Sequence, residues 1–319
     1  MRNTAFNYRK LILIFFVASF FTATAQQLQT ARLMHKENAL CGEGAIWNPF
    51  TKTLFWVDID GQLLFEWNPA TQKNREWKFE KKISTVVPES PSTVVFTLSD
   101  EVMRFNFETG MSEQLHSINI GNNAVRFNDG KCDPQGRLWA GTMVMSGERG
   151  SGILYRIDAA GITPMEGGIN CSNGIVWTKD KRTMYYTDTP TGEVWAYDFD
   201  VKTGEISNRR MAITIPKEMG YPDGMTIDSN DMLWIAHWGG SAVYNWNPKT
   251  GQLIGKIGLP AVNITSCAFG GEKLDTLYIT TARGGMSKEQ LDKYPLSGSL
   301  FYCVPGATGV KASVFKWGK

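Results

Sequence analysis

The chain has 319 residues, 42% hydrophobic and 20% charged, with 33 Lys and Arg against 31 Asp and Glu and a formal net charge of +2. That composition belongs to a folded globular protein and excludes intrinsic disorder, which needs few apolar residues and a high net charge. A near-neutral chain without runs of Lys or Arg also lacks the electrostatic footprint of a nucleic-acid binder.

In chain order, residues 1–25 read as a secretory signal peptide. Arg2, Arg9 and Lys10 are basic, residues 11–21 are an apolar run of 11, and Ala23-Thr24-Ala25 is a small-x-small cleavage site. Eleven apolar residues are well short of the roughly 20 that cross a bilayer. Cleavage is therefore expected, giving a periplasmic or secreted protein with no membrane attachment. Its loss removes three positive charges and takes the net charge from +2 to −1. Five cysteines (Cys41, Cys132, Cys171, Cys267 and Cys303) are odd in number and lack metal-type CxxC spacing. They read as small buried hydrophobes with at most one or two bridges, the pairing left open.

Residues 26–319 then read as a single domain made of strands. LFWVDI (54–59), VVFTL (94–98), LWAGTM (138–143), MYYTDT (184–189), LWIAHW (233–238) and LYITTA (277–282) are rich in β-branched and aromatic residues and broken by Gly, Pro, Asn and Asp. Only residues 286–294 (MSKEQLDKY) predict a helix. Five segments share one grammar, an anchor pair followed by an apolar run, a turn and a second strand: Glu43-Gly44, Asp129-Gly130, Asn173-Gly174, Asp223-Gly224 and Thr265-Ser266. Ile83-Ser84 opens a weaker sixth copy. The anchors at 44, 84, 130, 174, 224 and 266 are 40, 46, 44, 50 and 42 residues apart. A period of 40–50 residues with several strands per unit predicts an all-β, six-bladed β-propeller with a central channel. Residues 30–36, 298–304 and 310–315 are left over and are expected to share a blade and close the ring.

In a propeller the first strand of each blade lines the channel, so residues at one phase of the repeat meet around the axis. The residues just before the anchors are Glu43, Ile83, Asp129, Asn173, Asp223 and Thr265. Carboxylates crowded in a poorly solvated channel repel one another unless a cation compensates. Oxygen ligands without His or Cys favour Ca²⁺, with Mn²⁺, Mg²⁺ or Zn²⁺ as further occupants. Asn-Gly and Asp-Gly are also ordinary turn dipeptides; Glu43 is not a turn residue, and turns do not explain the shared phase.

RFNDGKCDPQGRLWAGTM (126–143), CSNGIVWTKDKRTMYYTDT (171–189), YPDGMTIDSNDMLWIAHWGG (221–240), TSCAFGG (265–271) and GEGAIWNPFTKTLFWVDI (42–59) resemble the regucalcin/gluconolactonase family of six-bladed propellers. The resemblance implies a metal-dependent lactonase acting on a sugar lactone. It implies that Glu43, Asn173 and Asp223 hold the metal, that Arg126 and Asn128 face the substrate, and that Asp223 accepts a proton. The repeat phase nominates Asp129 where the resemblance uses Asn128, and a bulge at RFNDG would reconcile the two. Some family members carry a substrate-contacting Glu where this chain has Ser146, with Glu148 two residues on, which leaves the lactone open.

Two rivals stand beside the lactonase: a phosphotriester or ester hydrolase on the same metal, and a non-catalytic calcium or sugar-acid binding propeller. His237 reads as a packed strand residue, and His35 and His116 have no partner pattern. Which base takes the proton, which ion serves and the oligomeric state stay open at this level.

Overall fold

The computed structural model describes residues 27–118 and 124–318, so the expected signal peptide lies outside the described residues. Six antiparallel sheets stand in a ring as the blades of a propeller. Blade one runs Gly42–Asn48, Thr53–Asp58, Leu63–Asn68 and Lys73–Lys78 from the channel outward. The innermost strands of the other blades are Ile83–Pro88, Val125–Cys132, Ser172–Trp177, Tyr221–Ile227 and Asn263–Gly270. Each packs against the next, and the last packs against the first, so the ring is closed.

The sequence pattern follows from each blade having a neighbour on both faces. TLFWVD is buried at every position, as a strand covered on both sides must be, whereas the outermost strand KNREWK is mostly exposed. The cores lie between blades. Phe55 and Val57 of blade one meet Val86 and Phe96 of blade two, and Trp139 of blade three meets Trp177 and Tyr186 of blade four. Burying each Phe contributes about 1.5–3 kcal/mol, so the blades hold one another in place.

Ring closure matches part of the expectation. Arg32–His35 pairs antiparallel with Leu300–Cys303, completing blade six from both ends of the chain. Gln27–Thr30 adds a fifth strand to blade five, parallel to Gln252–Gly258. The N-terminal segment thus covers the edges of two adjacent blades. Residues 310–315 depart from the expectation: they form no strand but cross the end of the channel as a strap. Val310 N–H bonds the Ile227 carbonyl (3.3 Å) and Phe315 N–H the Pro88 carbonyl (2.8 Å), with the Phe315 ring buried in the core of blades one to three.

The helix forms over Lys288–Lys293, inside the predicted span, and Ser287 with Gln290 closes a capping box at its start. Among the described residues no helix is long and apolar enough to cross a membrane. All five cysteines are unpaired, and three of them are buried.

Candidate active site

Every innermost strand carries one extra residue at the same height. The register slips between Glu43 and Ile46, Ile83 and Val86, Phe127 and Gly130, Ser172 and Ile175, Pro222 and Met225, and Ile264 and Ser266. A bulge turns its unpaired residues out of the ladder, and here it turns them toward the channel. Asn173-Gly174 and Asp223-Gly224 are unpaired in their blades, and Asn128-Asp129 is the unpaired pair in blade three. Asn128, not Asp129, therefore shares the phase of Asn173 and Asp223. The sequence alignment on Asp-Gly is one residue off, because Gly130 is paired with Ala140 whereas Gly174 and Gly224 lie inside their bulges.

Buried carboxylates set the approach to the site. Asp58, at the end of WVD, accepts backbone N–H bonds from Leu40 (2.8 Å), Cys41 (2.9 Å) and Gly61 (2.9 Å). Asp188, at the end of YTD, accepts from the N–H groups of Asn170 (3.2 Å) and Cys171 (2.7 Å). The same device thus fixes the chain just before Glu43 and just before Asn173. In blade one Glu43 stays paired with Val57, just before its bulge. In blades two and six, which carry no candidate ligand, hydroxyls brace the neighbours. Thr265 Oγ1 donates to the Gly42 carbonyl, and Thr85 Oγ1 donates to the Asn128 carbonyl at 2.6 Å.

The candidate side chains are linked blade to blade. Arg126 Nη1 donates to Asn128 Oδ1 at 2.8 Å, and Asn128 Nδ2 donates to the Ser172 carbonyl at 2.8 Å. Asn173 Nδ2 donates to Thr189 Oγ1 at 2.7 Å, and Thr189 in turn donates to the Pro222 carbonyl at 2.8 Å, next to Asp223. With its nitrogen held this way, the Asn173 amide presents its oxygen. Asn173 Oδ1, Asp223 Oδ1 and Asp129 Oδ2 are buried and have no hydrogen-bond partner among the described residues. Gly174 permits the close approach: a Cβ there would lie 2.7 Å from the Asp223 carbonyl oxygen.

Charge makes the arrangement costly by itself. Glu43 is 6% exposed and Asp223 4%. Burial, then the charge of Asp129, pushes the Glu43 carboxyl up to about 8. Burial, then the charge of Glu43, pushes Asp223 upward as well. Asp129 is also raised by burial, against the pull of Lys131. The donor set suits a hard divalent cation: two carboxylates that cannot both ionise without a compensating charge, and buried acceptor oxygens with no donor. Two carboxylates and an amide do not make a group of three or more His, Cys, Asp or Glu side chains, and no such group able to hold a metal occurs among the described residues.

All five sequence-nominated residues, Glu43, Arg126, Asn128, Asn173 and Asp223, come together at this end of the channel. Arg126 forms no ion pair among the described residues; its field reaches Glu43 and Cys171. His237 is packed instead against Tyr244, with ring centroids 4.3 Å apart, and burial depresses it to about 4. Ser146 and Glu148 are exposed. Sequence reasoning missed Thr189 and the two clamping aspartates, although the recurring WVD and YTD endings carried the signal. It also missed Cys171, whose Sγ accepts from both Asn128 Nδ2 and Asn173 Nδ2 at 3.7 Å; nothing in the repeat marks it.

The family described as SMP-30/Gluconolactonase/LRE-like region matches residues 41–283. YvrE of Bacillus subtilis (strain 168), named for a sugar lactone lactonase activity, is 38% identical over 264 residues, covering 82% of this chain and 90% of that protein. Regucalcin of Danio rerio is 37% identical over 272 residues, 83% of this chain and 91% of that protein. The crystal structure of a calcium-binding protein, regucalcin, from Agrobacterium tumefaciens str. C58 superposes with a TM-score of 0.86 at 25% identity, covering 91% of this chain and 98% of that one.

Proposed function

Because the chain belongs to the SMP-30/gluconolactonase/LRE-like family, we propose that it opens the ring of a sugar lactone by hydrolysis, with a divalent cation, Ca²⁺ foremost, held by Glu43, Asn173 and Asp223. The observation that carries the reading is the set of buried oxygens without donors, Asn173 Oδ1 and Asp223 Oδ1, beside a carboxylate pair that cannot ionise alone. A bound cation would act as a Lewis acid on the lactone carbonyl.

The chain's own groups do the rest. Asp223 accepts the proton of the attacking water. Arg126 is oriented by the Phe127 carbonyl and Asn128 Oδ1, both at 2.8 Å, which aims its remaining N–H groups at lactone oxygens. The second lone pair of Asn128 Oδ1 accepts from a sugar hydroxyl. Ser172 and Thr189 hold the two amides so that neither rotates away from this role.

The test is acid release from gluconolactone, galactonolactone and arabinolactone, with and without EDTA, in the native protein and in Asp223→Ala and Asn173→Ala. Turnover that needs the metal and disappears in both variants supports the lactonase. A calcium-raised melting temperature with no turnover on any lactone supports the non-catalytic binder instead. The proposal includes export: the mature N-terminus is expected at Gln26, read by mass spectrometry of protein recovered outside the cytoplasm.

A further inference from the structure

Toward the other end of the channel from Glu43 and Asp223, the later parts of the innermost strands and the C-terminal strap line an open cavity of about 430 Å³. Trp47, Phe50, Trp177 and Phe269 are among its lining residues, Phe50 exposed and the other three showing the cavity only part of a buried ring. Among the described lining residues the charged ones are all lysines: Lys131, Lys179, Lys181, Lys311 and Lys316. Lysines that form ion pairs lie elsewhere, at positions 52, 81, 82 and 288. Lys131 is the exception, donating to the Met225 carbonyl and acting on Asp129; other carboxylates near the lining in sequence are committed to other donors. Asp133 binds Arg137 and Trp139 Nε1, Asp228 binds Trp234 Nε1, Asp180 takes the Thr178 hydroxyl, and Asp231 takes the Lys179 backbone N–H.

The strap that carries Lys311 and Lys316 is pinned on both sides of the ring. Gly309 N–H bonds the Leu274 carbonyl (2.8 Å) at one end, and Lys316 N–H bonds the Gly136 carbonyl (2.9 Å) at the other. The cavity is therefore formed without a ligand, and its size falls in the range of small-molecule sites.

We infer that this lower cavity is a binding site for an aromatic carboxylate, the ring lying against the Trp and Phe side chains and the anion facing the lysines. The site is separate from the lactone-opening centre, so the inference does not depend on that reading.

Isothermal titration calorimetry on the full mature chain tests it with an isosteric pair, 2-naphthoate and 2-naphthamide, which differ in charge and hardly in shape. The acid is expected to bind at least tenfold tighter than the amide at low ionic strength, the advantage shrinking as NaCl is added. The double variant Lys179→Glu, Lys181→Glu is expected to remove that advantage. Both lysines are exposed, so an unchanged melting temperature reports that the fold is intact. Equal affinity for acid and amide, no saturable binding of the acid at millimolar concentration, or binding indifferent to the charge reversal would each overturn the inference.

Discussion

Replacing Asp223 by Asn should stabilise the metal-free protein while removing its response to calcium. In the metal-free native chain the Glu43 carboxyl is pushed from 4.5 up to about 8. The folded state therefore holds this proton more tightly than the unfolded state does. Stability is greatest below about 4.5 and declines as pH rises through about 8. At roughly 1.4 kcal/mol per unit, full ionisation of Glu43 in the fold costs on the order of 5 kcal/mol. Most of that is burial and then the charge of Asp129, both of which Asn at 223 leaves in place; what the substitution removes is the repulsion that Glu43 exerts on the Asp223 carboxylate, roughly 1–2 kcal/mol by the usual size of such couplings. An Asn amide also donates to Glu43 where a carboxylate repels it. For a chain of this size the gain is about 2–6 °C in melting temperature. The assay is thermal unfolding in EDTA from pH 5 to pH 9, followed by calcium titration at pH 8. The native protein should lose stability across that range and recover it with calcium. The variant should show a flatter profile, a higher melting point at pH 9 and no calcium shift. A variant that melts below the native protein at pH 9 in EDTA, or that still gains stability with calcium, refutes the argument that like charges await a cation here.

Three further outcomes follow from named contacts. Thr189→Val keeps the shape but leaves Asn173 Nδ2 and the Pro222 carbonyl unpaired; calcium affinity by calorimetry should fall 10–100-fold, with a stability loss of about 1–3 kcal/mol. Gly174→Ala sets a Cβ 2.7 Å from the Asp223 carbonyl, so denaturant melts should show a loss of about 1–3 kcal/mol together with reduced lactone turnover. Cys132 and Cys267 are buried, and burial raises both thiols, Cys267 to about 12; a disulfide reagent at pH 8 should label these two only slowly in the folded protein and rapidly in guanidinium, and fast labelling of both in the native chain would contradict their burial.

The repeat was legible because it is written in local terms. Apolar runs such as LFWVD and LYITT, covered on both faces by neighbouring blades, are continuous rather than alternating, and the turn residues between them keep a period near 44. Glu43, Asn173 and Asp223 stood out for the same reason, as polar residues at one phase of an otherwise apolar pattern. Thr189 did not, since a Thr after a strand is ordinary until the fold sets it between the Asn173 amide and the Pro222 carbonyl, 33 residues away.

The chain by itself determined six β units and nominated Glu43, Asn173 and Asp223 as channel oxygens, because propensity, burial pattern and turn chemistry act over a few residues. Tertiary structure decided that Asn128 rather than Asp129 shares the phase of Asn173, since a bulge exists only relative to the strand it fails to match. It also decided that the last residues bridge the channel instead of adding a strand, because Phe315 finds its buried place between blades that lie some 200 residues earlier in the sequence.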